Sequence, residues 1–419
     1  MTTEAPPKKE EPKKEEESFL SLFVHNLWSA NTVTVTFLSI LLALVIGAVL
    51  IVVSDSEVLA TFSYFTARPS DALTASWDLI SRAYADLFKG AIFDPAAVSA
   101  WFNGTGDWQT ALNPLSETLT YAAPLVFTGL SVALAFRGGL FNIGGQGQAV
   151  IGCVTAGVAG FAIGLPAGLH LVVALAAGLI GGALWGFVPG LLKARTGAHE
   201  VITTIMLNYT ATLFLGWLIL QNGVQDPDRT DAISKTIDST AGLPALPAPL
   251  RVHFGIVLAV LVTAGVAWLV NRSSFGFELR AVGVNPPAAK TAGMSVGRTY
   301  IMLMVVAGGL AGLGGATQVL GTADRLTDQV AGNIGFDGLL VALLGRNKPW
   351  GTLFAAILYG GLRAGGNLMQ VDVGISLELV TVLQALIVIF IAAPALVKAI
   401  FQLRDARTAR LGASMAKGW

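Results

Sequence analysis

Val35-Thr-Phe-Leu-Ser-Ile-Leu-Leu-Ala-Leu-Val-Ile-Gly-Ala-Val-Leu-Ile-Val-Val53 contains no charged residue. A helix of about 20 apolar residues spans the roughly 30 Å hydrocarbon core of a bilayer, so this run reads as a membrane span. Residues 1–18 before it are too polar for the apolar region of a signal peptide, and the run reads as an uncleaved anchor. Further apolar runs follow near 118–136, 139–164, 168–192, 200–221, 252–271, 299–320, 331–345, 350–368 and 376–400. With the first they predict an all-α, polytopic transmembrane bundle of about ten spans. The run at 331–345 is too short to cross alone and predicts a broken or re-entrant helix.

Composition agrees. Hydrophobic residues make up 54% of the 419 residues and charged residues 12%, about half the usual share of a soluble domain. Mean hydropathy is +0.68. Formal net charge is +0, which gives no electrostatic basis for a nucleic-acid partner. Glycine is abundant at 48 copies, which suits close helix packing and broken helices in a membrane. Cys153 is the only cysteine, so neither an intrachain disulfide nor a cysteine-based metal cluster is available. His25, His170, His199 and His253 are far apart and read as interfacial or cavity-facing residues.

The chain divides by composition. Residues 1–33 form a cytoplasmic N-terminal segment, rich in Lys, Glu and Pro at its start and expected to be disordered. Residues 34–54 are the first span, and 55–115 an external or interfacial segment of short amphipathic helices, its acidic residues interleaved with Trp and Tyr. Residues 116–400 are the main transmembrane domain, and 401–419 a cytoplasmic tail. The basic connections are Lys193–Arg195, Arg272–Arg298, Arg346–Lys348 and the tail; 55–115, 222–251 and the stretch at Asp372 are acidic. Threading ten spans with both termini inside puts every basic connection in the cytoplasm.

Four stretches carry the polar chemistry. In Gly139-Leu-Phe-Asn-Ile-Gly-Gly-Gln-Gly-Gln148, the amides Asn142, Gln146 and Gln148 interrupt apolar sequence. An unpartnered amide in hydrocarbon costs several kcal/mol. These groups therefore either bond helix to helix or line a polar cavity, and the clustered glycines favour unwound backbone beside a cavity. In Gly197-Ala-His-Glu-Val-Ile-Thr-Thr-Ile-Met-Leu-Asn-Tyr209, Glu200 suits a first helical turn, while Thr204 and Asn208 share a face at i, i+4. Pathway lining and helix packing are both open for that face.

The third stretch is Phe277-Glu-Leu-Arg-Ala-Val-Gly-Val-Asn-Pro-Pro-Ala-Ala-Lys-Thr-Ala-Gly-Met-Ser-Val-Gly-Arg298. Asn285 is a good N-cap and Pro286 suits the first helical position. Ala288, Ala289 and Lys290 continue a short helix, and Gly293 ends it in the left-handed conformation. Such a helix, with Ala289 on its docking face, suits attachment to another protein. The fourth, Gly335-Phe-Asp-Gly-Leu-Leu-Val-Ala-Leu-Leu-Gly-Arg-Asn-Lys-Pro-Trp350, places Asp337 before a short apolar run bracketed by Gly and Pro. Interrupted apolar segments point to transporter binding sites, with Asn333 and Gln318 as neighbouring candidates.

Together these stretches resemble the permease subunits of nucleoside and simple-sugar ABC importers, in the ribose-permease superfamily. FNIGGQGQ, HEVITTIMLNY, FELRAVGVNPPAAKTAGM and GFDGLLVALLGRNKP each resemble a motif of that family, in the same order, within about residues 115–400. Gln146 stands where the family often has Glu, and His199 where it often has Asn. The resemblance implies a multi-pass subunit in the plasma or inner membrane of a bacterium. It implies two cytoplasmic ATPase subunits, a second permease subunit (a heterodimer, from the long N-terminal region) and an external substrate-binding lipoprotein. Loop 272–298 would be the ATPase-coupling element. This chain has no Gly-x-x-x-x-Gly-Lys-(Ser/Thr) phosphate loop, so it is expected to bind no cofactor, with ATP and Mg used by the partner. An ion-coupled secondary transporter of a small polar solute is the competing reading. Glu117, Glu200, Asp337 and Glu378 all fall near span ends, which counts against it.

Overall fold

The computed structural model describes residues 32–402. Each of the ten apolar runs contains a helix. We number the helices α1 (Thr32–Ser54), α2 (Ser56–Phe62), α3 (Pro69–Ala91), α4 (Pro95–Phe102), α5 (Trp108–Arg137), α6 (Gly145–Ala162), α7 (Leu169–Thr196) and α8 (Glu200–Ile219). They continue as α9 (Gly255–Arg272), α10 (Ser274–Val284), α11 (Pro286–Thr291), α12 (Val296–Gln318), α13 (Ile334–Leu344), α14 (Pro349–Val373), α15 (Leu377–Ala392) and α16 (Pro394–Ile400). A π-helical turn, Val319–Ala323, closes α12. Extended pairing among the described residues is limited to two isolated bridges, Gln225 with Ser234 and Ala245 with His253.

The ten runs are not equally long and apolar as helices. Six helices, α1, α5, α7, α8, α9 and α12 with its π turn, are long and apolar enough to cross; α15 with α16 makes seven if they form one span. The others fall short for visible reasons. α13, at 11 residues, is about 16 Å long, half a bilayer core. α6 is diluted by glycines and amides, and α14 by glycines, Arg363 and Asn367. The last run breaks at Ala393, ahead of Pro394, which cannot continue the helix before it.

The chain forms two compact units. Of the described residues, one comprises 32–45 and 389–402; within it Ser39 Oγ donates to Phe390 O at 3.1 Å. The other is Ile46–Val388. In this larger unit the large buried side chains are Phe127, Leu130, Leu134, Leu303, Met304 and Tyr359 around α5, α12 and α14, and Leu215, Ile219, Leu320 and Leu326 around α8 and the π turn. Outward faces are apolar too: Leu213 and Trp217 on α8, and Leu261 and Trp268 on α9, are exposed. Lipid supplies no hydrophobic drive to pull such helices together, so close backbone packing must do so. On α7 and α12, Gly182 and Gly308 face each other so closely that a Cβ on either would overlap the other's carbonyl oxygen.

The 55–115 segment contains more than short interfacial helices. Its longest, α3, has 23 residues and buries Ala72, Leu79, Ala83 and Leu87. It packs directly on α14, where Gly365 admits the Leu87 carbonyl.

Candidate translocation site

Between α5 and α6 the chain unwinds through Gly138–Gly144, as the glycines predict. The start of α6 lies deep in the protein, so its free N–H groups need partners other than water. Asn208, two turns into α8, supplies one: its Oδ1 accepts from Gly147 N–H at 2.8 Å and its Nδ2 donates to Ile143 O at 3.0 Å. Asn142 donates to Gln148 Oε1 at 2.9 Å and to Ser131 Oγ at 3.1 Å, and Gln148 returns a bond to Asn142 Oδ1 at 3.2 Å. Both amides are buried. Thr204 is also buried; its hydroxyl donates to Val201 O, and its side chain lies against Gly144.

Gln146 reaches the second break. Its Nε2 donates to Gly332 O at 2.6 Å and its Oε1 accepts from Gly335 N–H at 2.9 Å. It thus closes the turn into α13 and caps that helix from outside. The amide suits both bonds: a carboxylate could accept from Gly335 but could not donate to Gly332. Thr128 of α5 adds a bond to Ile334 O at 2.8 Å.

Asp337 lies one turn into α13. Its Oδ1 accepts from Tyr359 Oη at 2.8 Å, and its Oδ2 is 4.0 Å from Arg363 Nη1. Asn333 is exposed at the start of α13, apart from the buried amides. The structure therefore brings Asn142, Gln146, Gln148, Thr204 and Asn208 into one junction and leaves Asp337 in a second cluster with Tyr359 and Arg363. Sequence reading missed Ser131, Tyr359 and Arg363. Arg363 had a signal: it is a lone cation within an apolar run.

The short helix in loop 272–298 has the expected ends. Asn285 Oδ1 accepts from Ala288 N–H at 3.1 Å, Pro286 is the first helical residue, and Gly293 has φ +85°. One expectation is corrected. Ala289 is buried against the protein and cannot be a docking face. The outward residues are Val284, Pro287, Ala288 and Lys290. Successive residues of a helix are turned by about 100°, so Ala289 can pack inward while Pro287, Ala288 and Lys290 stay exposed. A groove of about 660 Å³ beside it is lined by Lys193, Gly197, Pro286, Lys290 and Tyr300, among others. Lys193 closes the α7–α8 turn with an ion pair to Glu200 at 2.8 Å.

At the other end of the unit, the 222–254 segment straps onto the exit of α12. Leu243, Ile237 and Ser234 donate backbone N–H groups to the carbonyls of Leu320, Asp324 and Leu326 at 2.9, 2.9 and 3.0 Å. Arg325 pairs with Asp226 at 2.6 Å and holds its carboxyl below the usual range. His253 is buried; its Nδ1 accepts from Gly255 N–H at 3.1 Å, and its Nε2 lies against Gly321 with no bonding partner among the described residues. Burial, with the nearby Arg251 charge, pushes this imidazole down to about 4.

A family profile described as branched-chain amino acid transport system / permease component matches residues 115–392. A guanosine ABC transporter permease protein of Bacillus subtilis is 41% identical over 280 residues, covering 66% of this chain and 80% of the relative. A nucleoside ABC transporter permease protein of Lactococcus lactis is 40% identical over 290 residues, covering 66% and 79%. A glucose ABC transporter permease protein of Haloferax volcanii is 32% identical over 286 residues, covering 66% and 75%.

Proposed function

This chain belongs to the branched-chain amino acid transport system / permease component family, and from that premise we propose that it carries nucleosides through the membrane. It is a multi-pass membrane protein and the permease subunit of an ABC importer, a transport component rather than an enzyme. Simple sugars are the neighbouring solute class, sharing the hydroxylated ring of a nucleoside. The observation that carries the reading is the 41% identity to a guanosine permease over 280 residues, two thirds of this chain.

In this reading the pathway runs beside the two helix breaks. Asn142, Gln146, Gln148, Thr204 and Asn208 shape it by holding the breaks open, while Asn333 and Asp337 lie along it. The short helix from Asn285 and Pro286 through Ala288 and Lys290 to Gly293 seats on the ATPase through its outward face, with Ala289 anchoring it to the chain from within. Two ATPase subunits supply ATP and Mg chemistry; a second, different permease subunit completes the channel; an external lipoprotein delivers the solute. Both termini and loop 272–298 face the cytoplasm, in accord with the placement of Lys and Arg.

The test is ATP-dependent uptake of radiolabelled guanosine by vesicles holding this chain with its ATPase, second permease and binding protein. Uptake that needs ATP and binding protein is the expected result. Uptake driven by an ion gradient without ATP would replace this reading with a secondary transporter.

A further inference from the structure

Arg363 interrupts a helix that otherwise has the length to cross a bilayer. α14 has 25 residues, about 37 Å, and Arg363 falls near its middle. A charge at that depth does not face lipid; it faces protein or a water-filled cavity. Within this chain it is only partly covered, with a side chain 48% exposed, while that of Asp337 is 15% exposed. The two are 4.0 Å apart, beyond hydrogen-bond length, and Tyr359 Oη already holds the other carboxylate oxygen at 2.8 Å. Asn367, one turn beyond Arg363, donates to Tyr121 Oη at 3.0 Å and continues the polar file.

The carboxylate is thus fixed, while the guanidinium fork is held loosely and has donors to spare. The pair carries no net charge. It offers adjacent donors and acceptors to a solute with neighbouring hydroxyl groups. A phosphate gains little there, since it would meet a cation already compensated and a carboxylate beside it. We infer that Asp337 and Arg363 bind the hydroxyl-bearing ring of an uncharged solute in transit, with Tyr359 as the positioning residue that aims the carboxylate. This rests on the importer reading above and adds the group that touches the solute and the chemistry it recognises.

The experiment uses the full importer in vesicles and compares Asp337→Asn, Arg363→Gln and Tyr359→Phe with wild type. Three quantities are read together: assembly with the partners, ATP hydrolysis stimulated by loaded binding protein, and uptake of guanosine against 3′-deoxyguanosine. Loss of a hydrogen bond to a charged group should lower guanosine uptake about tenfold in Asp337→Asn and Arg363→Gln. Assembly and stimulated hydrolysis should remain. The preference for guanosine over its deoxy analogue should shrink, which a general packing defect would not cause, since it would slow both solutes alike. Tyr359→Phe should shift the same preference less. Wild-type uptake with an unchanged preference would overturn the proposal, as would loss of assembly in both charge variants, which would make the pair a subunit contact. Absence of any nucleoside uptake by the wild-type importer would instead refute the functional reading beneath it.

Discussion

The polar groups of this bundle are treated in two opposite ways. At the start of α6, Asn142, Gln146, Gln148 and Asn208 spend their amides on one another and on backbone groups at the two breaks. Beside α13, Asp337 and Arg363 stay apart at 4.0 Å, and the guanidinium remains half-exposed. A closed network fixes geometry because every member would be left unsatisfied if the geometry changed. An open pair retains bonding capacity for something that arrives. On the proposal above, the first region holds the fold and the second handles the solute.

The closed side breaks most sharply at Gly335. A Cβ there would overlap the backbone of Gln146, with no flexible side chain able to yield. Gly335→Ala should destabilise the protein by about 3 kcal/mol or more and collapse the yield of inserted protein. A yield and thermal midpoint equal to wild type would show that the junction is loose. Next comes the amide pair. Asn142→Leu alone leaves the buried Gln148 amide short of a partner, at a cost of about 1–3 kcal/mol. Adding Gln148→Met removes the orphan, so the double variant should be more stable than the single one. A double-mutant cycle in detergent reads this directly; simple additivity would mean the pair does not act as a unit.

His253 sits between the two extremes, with one ring nitrogen bonded and the other without a partner among the described residues. Its ring is pushed down to about 4 in the folded protein, against an unfolded value near 6.5. Above pH ~6.5 the ring is neutral in both states and its contribution to stability is complete. As pH falls the unfolded chain takes up the proton first, so stability should drop between about 6.5 and 4 and level off below. His253→Phe should flatten that part of the profile in a thermal-melt series. A wild-type profile flat from 7 to 4 would contradict the burial argument. The smallest effect is expected at the exposed end of the scale. Asn285→Ala removes a cap from α11 and should cost about 1 kcal/mol of local stability, read as faster hydrogen exchange at Ala288 and Ala289. Unchanged exchange would show that packing of Ala289 alone holds the helix.

Much of this was legible in the residues. Runs without charge announced the helices; glycines beside amides announced the break before α6; Asn285, Pro286 and Gly293 announced α11 and both its ends. These are local signals, set by neighbours in the chain. What stayed hidden depends on distant partners. Nothing near Gln146 in sequence says that it closes a turn at Gly332 and Gly335, or that Asn208 bonds the far side of another helix. Run length alone also does not separate a strongly apolar helix from a buried, glycine-rich one such as α6 or a half-length one such as α13. Ala289 was placed on the wrong face because a helix of six residues has too little periodicity to show which side is covered. Arg363 was visible as a lone cation, but its significance lay in Asp337, which belongs to another helix.

The division between holding and handling is tested most directly by initial guanosine uptake per inserted importer in two double variants, Asn142→Leu with Gln148→Met and Asp337→Asn with Arg363→Gln. The account predicts that the first stays within about twofold of wild type, since replacing both partners of a buried bond by apolar groups is nearly neutral. It predicts that the second loses about tenfold or more while still assembling with its partners. Normal uptake by the charge-pair variant, with uptake abolished in a well-inserted amide variant, would reverse the assignment and contradict the account.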